Sequence, residues 1–387
     1  MKSEILAAIE ENKDRFYEIS AYIGANPELG HEEFKACKIL TDELKKQNFD
    51  VVIGTAGLPT AFEATFDSGK PGATIGIMSE YDALPELGHA CGHNLIGTMG
   101  IAAGIGLSKV IHETGGKVVV YGTPAEETKG GKVTMAEQGI FDHLDVAMMV
   151  HPLSHYEKSG ASLAMDAIQF EFFGKAAHAA AAPHEGINAL DAVIQTFNSI
   201  NALRQHITSD ARIHGIISEG GQAANIVPDY AVAQFYVRAA SRAYVNELVE
   251  KVKKCAQGAA LQTGATMEWS FYEFSYDDMV TNEAFSDVFT ETLIELGVNP
   301  EEIHERADGG SLDMGNVSHV VPSIHPYVKI CDEPFACHTH GFREAALSNQ
   351  GKEAMILGAK TMALTGYKIL TEPQVLENIK EEFAKNK

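Results

Sequence analysis

Apolar residues follow two different spacings along the first part of the chain. Over residues 4–24, apolar side chains such as Ile5, Ile9 and Phe16 recur at the spacing of one amphipathic helix. Further on, short apolar runs predict strands, namely VVIGTA, TAFEATF, ATIGIMSEY, KVVVYG and VAMMV. Strands that alternate with helical segments predict an α/β fold with a central, mostly parallel sheet.

The pattern changes near residue 167 and changes back near residue 276. Between these points, strand-like and helix-like segments follow one another in the ferredoxin-like order β-α-β-β-α-β. The earlier pattern then resumes, with helices predicted at 282–297 and 344–364. We therefore expect one α/β domain of residues 1–166 and 276–387, interrupted by an inserted α+β domain of residues 167–275.

Charge and cysteine content narrow the classes of protein that fit the chain. With 30 basic and 53 acidic residues among 387, the net charge of −23 argues against a nucleic-acid partner. The N-terminus lacks the unbroken apolar core of a signal peptide, and the chain has no run of 18 apolar residues to span a membrane. Five unevenly spaced cysteines fit a reducing cytoplasm, so we expect a cytoplasmic protein.

The segment EYDALPELGHACGHN, which follows a predicted strand, concentrates acids, histidines and a cysteine. Loops after the carboxyl ends of parallel strands are where α/β proteins place their sites. Cys91 and His93 are alternate residues, so in an extended segment a thiolate and an imidazole would converge on one cation. The alternative is a turn in which these two side chains only cap the neighbouring backbone.

Three further positions carry candidate ligands at predicted strand ends. Glu126 and Glu127 follow KVVVYG, and adjacent carboxylates repel each other unless a cation or a proton lies between them. One could then bind a metal while the other takes a proton from water, although acids also favour a helix N-terminus. His151 ends the run VAMMV, and CHTHGF carries His338 and His340. Ligands at four strand ends are best explained by two divalent ions.

Two other functions fit the same residues less well. The chain contains no C-x-x-C, G-x-S-x-G or G-x-x-x-x-G-K-[ST] pattern, which disfavours a zinc deaminase, a serine hydrolase and a nucleotide-binding loop. Cys91 could instead be a thiol nucleophile paired with His93, which would make the protein a hydrolase of another class. A metal-stabilised binding protein without catalysis is the second alternative.

Six segments in order resemble one known family: EYDALPELGHACGHN, TPAEE, VHP, GKAAHAAAAPHEGINALDA, QAANIVPD and CHTHGF. The chain resembles the zinc aminoacylase and glutamate-carboxypeptidase family of amidohydrolases over nearly its whole length. It is most similar to the branch of auxin-conjugate hydrolases, aminobenzoyl-glutamate hydrolases and related dipeptidases. The resemblance implies a dinuclear-metal catalytic domain with an inserted ferredoxin-like lid domain that dimerises.

The resemblance assigns roles to individual residues of the catalytic domain. Glu126 matches the general base, and Asp82 matches the acid that orients a metal ligand. Glu80 stands where most of the wider family has histidine, and zinc, manganese, cobalt and nickel all remain candidates. In that wider family Asp stands at the position of Cys91, and Pro at the position of His340. The implied metal ligands are Cys91, His93, Glu127, His151 and His338.

Five further residues are predicted to contact substrate. The resemblance implies that His178 polarises the scissile carbonyl across a dimer, and that Asn225 and Arg238 contact the substrate's carbonyl and carboxylate. The alternatives are a strand-turn histidine, a turn asparagine and an ion-paired strand arginine. Gly309 and Gly310 lie in a glycine loop whose N–H groups could bind a carboxylate.

The expected function is metal-dependent hydrolysis of a linear amide bond. The substrate is expected to be a small molecule with a free carboxylate: an N-acyl amino acid, an aminobenzoyl-glutamate conjugate or a dipeptide. Deacetylation of an N-acyl intermediate would use the same residues. The inserted domain suits pairing with a copy of itself, so we expect a homodimer, with a tetramer as the alternative.

Overall fold

The computed structural model describes residues 1–306 and 310–386, which pack into two compact units. The first unit comprises Met1–Ala161 and Met279–Lys387, and the second comprises Ser162–Asp278. The segment expected to be inserted, 167–275, lies within the second unit.

Residues of the first unit that precede the second unit form five helices and seven strands. In chain order they are α1 (Lys2–Glu11), α2 (Lys13–Ala25), α3 (Phe34–Lys46), β1 (Asp50–Ile53), β2 (Phe62–Asp67), β3 (Thr74–Ser79), α4 (His93–Thr114), β4 (Lys117–Gly122), α5 (Gly131–Glu137), β5 (Val146–Met148), β6 (His151–Leu153) and β7 (Tyr156–Glu157).

The prediction of a single helix over residues 4–24 is wrong, because the helix is interrupted at Asn12, between α1 and α2. Its backbone leaves helical geometry (φ −97°, ψ 5°), and its side-chain Nδ2 donates to the carbonyl of Ala8 at 2.8 Å. The break leaves the apolar spacing undisturbed, since Ile5, Ile9 and Phe16 are all fully buried. Apolar spacing alone therefore could not reveal it.

The second unit has the predicted ferredoxin-like order. Its elements are β8 (Ala164–Phe173), α6 (Ala189–Leu203), β9 (Arg212–Glu219), β10 (Tyr230–Ala239), α7 (Arg242–Thr263) and β11 (Thr266–Phe271). The strands form one antiparallel sheet in the order β11-β8-β10-β9. Asn188 and Ser241 begin the two helices by accepting hydrogen bonds from the first-turn N–H groups of Leu190 and Tyr244.

The chain then returns to the first unit. These elements are α8 (Glu283–Glu295), β12 (Ile303–His304), α9 (Met314–Ser318), β13 (Ser323–Ile324), β14 (Tyr327–Lys329), α10 (His340–Leu347), α11 (Asn349–Thr371) and α12 (Pro373–Asn386). The last helix predicted, 344–364, is instead part of α10 and α11, which meet at Ser348. Ser348 ends α10 in extended geometry (ψ 168°) and accepts the N–H of Gly351 at 3.0 Å, so it begins a new helix.

Two sheets organise the first unit. The central sheet has the order β1-β2-β4-β3-β5-β13. Strands β3, β4, β5 and β13 run parallel, whereas β2 pairs antiparallel with β4 and β1 pairs antiparallel with β2. A small sheet with the order β12-β7-β14-β6 was not predicted, because strands of two or three residues carry no recognisable spacing. The parallel strands therefore end at a common edge, and the segments that carry the candidate ligands start there.

Helix α4 occupies the middle of the first unit. It is the one described helix that is long and apolar enough to cross a membrane, but 89% of its most apolar window is buried inside the protein. Gly100 and Gly104 allow close packing, since a Cβ at these positions would meet Ser79 Oγ and Val120 Cγ2 within 2.4 Å. The composition of α4 is therefore explained by its place in the core.

Candidate metal and catalytic centre

Polar residues that the sequence singled out follow the parallel strands of the central sheet, and His151 is also the first residue of β6. Glu80 and Asp82 follow β3, Glu126 and Glu127 follow β4, and His151 follows β5. Because β3, β4 and β5 are parallel neighbours, these loops leave the sheet at the same edge.

Cys91 and His93 converge through a turn at Gly92, and the extended segment expected from their spacing is wrong. Gly92 has a φ of 79° and precedes the first residue of α4, and a Cβ there would meet Pro152 Cγ at 2.4 Å. The turn brings Cys91, His93 and His151 together, with their ligand atoms all within 4.8 Å of one another. Cys91 Sγ lies 3.4 Å from His151 Nε2.

Both histidines of this group have a defined orientation. His93 Nδ1 donates to Asp82 Oδ1 at 2.9 Å, and His151 Nδ1 donates to the Pro152 carbonyl at 2.7 Å. Each ring therefore directs Nε2 at the cluster, which is the orientation that a metal-binding imidazole requires. Asp82 acts on a second loop as well, since its Oδ2 accepts the N–H of Glu127 at 3.0 Å.

Glu126 and Glu127 are held by a strained loop. Ala125, just before them, has a φ of 62°, and its N–H donates to the buried carboxylate of Glu33 at 2.9 Å. His338 also has a positive φ, 65°, and its N–H donates to the carbonyl of Ala90 at 2.9 Å. Positive φ at residues other than glycine is uncommon and concentrates at functional sites.

His338 Nε2 lies 3.3 Å from Glu127 Oε1, whereas His340 begins helix α10; both histidines are exposed. The ligand atoms of Cys91, Glu127 and His338 form a second group within 4.8 Å, and those of His93, Glu126 and Glu127 form a third. Shared members join the three groups into one cluster. Thiolate, imidazole and carboxylate together are donors that zinc and its first-row neighbours accept.

The cluster has unsatisfied polar atoms that a cation would satisfy. Among the described residues, neither His93 Nε2 nor Glu80 Oε2 has a hydrogen-bond partner, although both side chains are at most 2% exposed. Buried polar atoms of this kind are costly unless something binds them. Negative groups also predominate here, since Glu80, Asp82, Glu126 and Glu127 surround His93. The residues present therefore fit divalent metal ions.

The candidates in the second unit are more exposed. The backbone N–H groups of Ala180 and Ala181 donate to His178 Nδ1 at 3.3 and 3.1 Å, so Nε2 carries the proton and is available as a donor. The neighbouring Ala179 N–H donates to the carbonyl of Asn225 at 3.0 Å, which brings the His178 and Asn225 segments together.

Arg238 lies on β10 and is half-buried, with its guanidinium carbon 5.4 Å from the centre of the Tyr236 ring. In the first unit, Gly310 is exposed with a φ of 64°. Gly309 lies outside the described residues.

Comparison with known proteins identifies the family. Residues 165–263 match a peptidase dimerisation domain. The chain is 36% identical to the Xaa-Arg dipeptidase of Mus musculus, over 99% of this chain and 92% of the mouse protein. A Bacillus subtilis protein described as a dinuclear metal binding peptidase from the M20 family has a similar fold (TM-score 0.68, 19% identity, covering 92% of this chain and 98% of that one). The chain belongs to the M20 family.

Another M20-type relative is a component of the p-aminobenzoyl-glutamate hydrolase of Escherichia coli, which is 29% identical over 97% of this chain and 93% of that component. The resemblance expected from the sequence is thereby confirmed, as is the fold of a catalytic domain with an inserted dimerisation domain. The chain is a metal-dependent hydrolase of peptide or amide bonds.

The electrostatics of this candidate centre separate the pKa values of the two adjacent glutamates. Burial and the neighbouring charge of Glu127 raise the pKa of Glu126 well above its ordinary value. Burial has the same effect on Glu127, but the hydrogen bond from His338 and the charge of His93 outweigh it, so the pKa of Glu127 is lowered. Two carboxyl groups with separated pKa values are suited to different roles.

Sequence reasoning missed four side chains around this candidate centre, namely Lys132, Asp313, Cys337 and His325. Lys132 lies in α5 and is fully buried between Glu80 and Asp313, which are 52 and 181 positions away in the chain. Cys337 hydrogen-bonds to Cys91 and, together with burial, raises the pKa of that thiol. His325 packs its ring 5.5 Å from that of His151. The one available signal was a charged residue inside GGKVTM, a segment whose other members suit a buried helix.

Proposed function

We propose that the chain hydrolyses dipeptides with a basic C-terminal residue, and that the cluster of Cys91, His93, Glu126, Glu127, His151 and His338 is its catalytic centre. The observation that supports this proposal is the convergence of three ligand groups on shared members, beside two glutamates with separated pKa values. The M20 relative with 36% identity, the Xaa-Arg dipeptidase, suggests the substrate class.

In this proposal, five side chains hold two divalent ions, with zinc, manganese, cobalt and nickel as candidates. When bound, such ions polarise the amide carbonyl and lower the pKa of water. Asp82 keeps His93 in the tautomer that presents Nε2, through its 2.9 Å hydrogen bond with Nδ1. The proposed ligands are Cys91, His93, Glu127, His151 and His338.

Glu126 is the proposed general base. Its carboxylate takes a proton from the attacking water and then donates that proton to the nitrogen of the leaving amine. The raised pKa of Glu126 supports this role, because a higher pKa makes its carboxylate a stronger base toward the proton of water. Glu127, with its lowered pKa, remains a carboxylate and serves as a ligand.

His178 is proposed to stabilise the carbonyl oxygen as negative charge develops on it. Its Nε2–H is a free donor because Nδ1 already accepts two backbone N–H groups. Asn225 and Arg238 are proposed to contact the substrate's carbonyl and carboxylate, and Gly309 and Gly310 to offer N–H groups to a carboxylate. We also propose a cytoplasmic homodimer that pairs through the matched dimerisation domain.

A nucleophilic role for Cys91 is not supported by its surroundings. The thiol is buried, and its hydrogen bond with Cys337 and its burial raise its pKa, which disfavours the thiolate in the absence of a cation. Its neighbour His151 has a pKa lowered to about 4 by burial. A thiolate stabilised by a metal is consistent with the same surroundings.

One observation favours a second substrate, p-aminobenzoyl-glutamate. The relative that acts on it by name matches 97% of this chain, although its identity is lower, at 29%. Both substrates are small amides with a free carboxylate, so the same residues serve either.

The test is release of new amino groups by the purified, metal-loaded chain. The panel comprises dipeptides ending in Arg or Lys, matched dipeptides ending in Leu or Glu, N-acetyl amino acids and p-aminobenzoyl-glutamate, each with a chelator control. The proposal predicts chelator-sensitive release that is greatest for the basic dipeptides. Greatest activity on p-aminobenzoyl-glutamate would contradict the proposed substrate class but not the proposed mechanism. Release of amino groups that persists in the presence of the chelator would contradict the mechanism.

A further inference from the structure

Three charged side chains form a fully enclosed group next to the metal-ligand cluster. Lys132 Nζ donates to Glu80 Oε1 at 2.5 Å and to Asp313 Oδ1 at 2.7 Å, and all three side chains are at most 2% exposed. The backbone N–H of Lys132 also donates to Asp313 Oδ2, at 3.1 Å. Both oxygens of Asp313 and one oxygen of Glu80 thus bond to Lys132.

The second oxygen of Glu80 is left facing the cluster. Glu80 Oε2 lies 3.4 Å from His93 Nε2, and within residues 1–306 and 310–386 neither atom has a hydrogen-bond partner. A salt bridge with Lys132 accounts for Oε1 alone. A buried carboxylate oxygen without a hydrogen bond is unfavourable, and a cation bound by Oε2 and His93 Nε2 together would satisfy both atoms.

The separation of the two atoms matches two donors on one metal ion. With metal–nitrogen and metal–oxygen bonds of about 2.0–2.1 Å, neighbouring donors of a tetrahedral ion lie about 3.3–3.4 Å apart. His93 presents Nε2 because its Nδ1 is bonded to Asp82. Glu80 presents Oε2 because its Oε1 is bonded to Lys132. Each atom is thus fixed in place by a bond on the other side of its own side chain.

We propose that Glu80 is a further metal ligand, binding through Oε2 the ion that His93 holds, and that Lys132 is a positioning residue that presents it. This inference rests on the proposed function to the extent that it needs a metal at His93. Asp313 fixes Lys132 by accepting from both its side chain and its backbone. With Oε1 occupied by the ammonium group, Glu80 has one oxygen left for the ion.

The test measures metal binding without relying on activity. Zinc affinity and stoichiometry are measured by competition with a chromophoric chelator, and the visible absorption spectrum is recorded for the cobalt-loaded protein. The variants are Glu80→Gln, Glu80→Asp, Lys132→Met and the double variant Glu80→Gln/Lys132→Met. Glu43→Gln is the matched control, because Glu43 is also a buried carboxylate in a salt bridge (2.9 Å to Arg15) but contacts none of the proposed ligands in the described structure.

Glu80→Gln is expected to weaken the binding of one of the two ions at least tenfold and to shift the cobalt spectrum, while the other ion binds as in the wild type. Lys132→Met is expected to act in the same direction, and the double variant to bind no more weakly than Glu80→Gln alone. This non-additivity distinguishes a positioning role from independent stabilisation. Glu43→Gln is expected to leave both affinities unchanged.

Wild-type affinity, stoichiometry and cobalt spectrum in Glu80→Gln would overturn this inference and leave the proposed function in place. If Glu80→Gln does not fold, Glu80→Asp decides the question. Its shorter carboxylate withdraws from the ion, so unchanged affinity in that variant overturns the inference as well. A wild-type protein that binds no metal would instead overturn the proposed function itself, and this inference with it.

Discussion

The two units differ in how deeply they bury their polar candidates, although His338 of the first unit is exposed and Glu126 and Glu127 are partly buried. In the first unit, Glu80, Asp82 and His93 are at most 2% exposed, and Lys132 is fully buried. In the second unit, the buried side chains form an apolar core, while His178 and Asn225 are exposed and Arg238 is half-buried.

This difference decides how much each region says about function. Charged groups are rarely buried in proteins unless they are paired or bind a cation, so the buried members of the first unit's cluster indicate a bound cation. Exposed polar groups need no ligand, because water satisfies them. Those of the second unit are candidates for function only because of family membership and the tautomer of His178. Substitutions in each unit reveal whether burial is a sound guide to function in this chain.

The largest effect is expected for Glu126→Gln. Replacing the proposed general base removes both proton transfers, so kcat should fall on the order of 10³–10⁴-fold. Gln is nearly the same size and the proposed metal ligands remain, so metal content should be unchanged. Steady-state kinetics and elemental analysis of the same preparation measure both. Near-wild-type turnover would show that the ligand cluster of the first unit is not the source of the chemistry.

A smaller effect is expected for His178→Ala in the second unit. Loss of the Nε2–H donor should lower kcat about 10²–10³-fold, without changing metal content or the unfolding temperature. The control is His206→Ala, another exposed histidine of the second unit, which should behave as the wild type. Unchanged activity in His178→Ala would leave the exposed region without a catalytic role, and loss of metal would assign His178 to the metal site.

The smallest effect concerns a buried carboxylate that lies outside the ligand cluster. Glu33 is fully buried and accepts hydrogen bonds from Thr60 Oγ1 at 2.7 Å and from Ala125 N–H at 2.9 Å. Burial raises its pKa to about 7, from an ordinary value of 4.5. The folded chain therefore binds this proton more tightly than the unfolded chain does.

The stabilisation from protonated Glu33 should be fully present below about pH 4.5 and lost as the pH rises through about 7. This loss lowers the free energy of unfolding by up to roughly 3 kcal/mol between those two pH values. Glu33→Gln keeps the shape without the charge, so its unfolding free energy should fall less over the same window. Urea unfolding from pH 4.5 to 8, with a chelator present, measures both slopes; parallel slopes would contradict the prediction.

The sequence was sufficient where short-range spacing carries the information. The order of elements in the second unit and the strand-end positions of Glu126 and His151 both follow from local patterns. The groups around Lys132 do not, because its partner Asp313 is 181 positions away and only the folded chain brings the two together. The turn at Gly92 was also missed, since C-x-H spacing fits an extended segment as well as a turn that closes against Pro152. The break at Asn12 leaves the apolar pattern unchanged.

Anomalous diffraction from zinc-loaded crystals, recorded above and below the zinc absorption edge, shows whether the ligand cluster of the first unit binds two divalent ions. We expect two anomalous peaks, each about 2.0–2.3 Å from ligand atoms of the set Cys91, His93, Glu127, His151 and His338. Well-ordered side chains at this cluster without any anomalous peak would contradict this expectation.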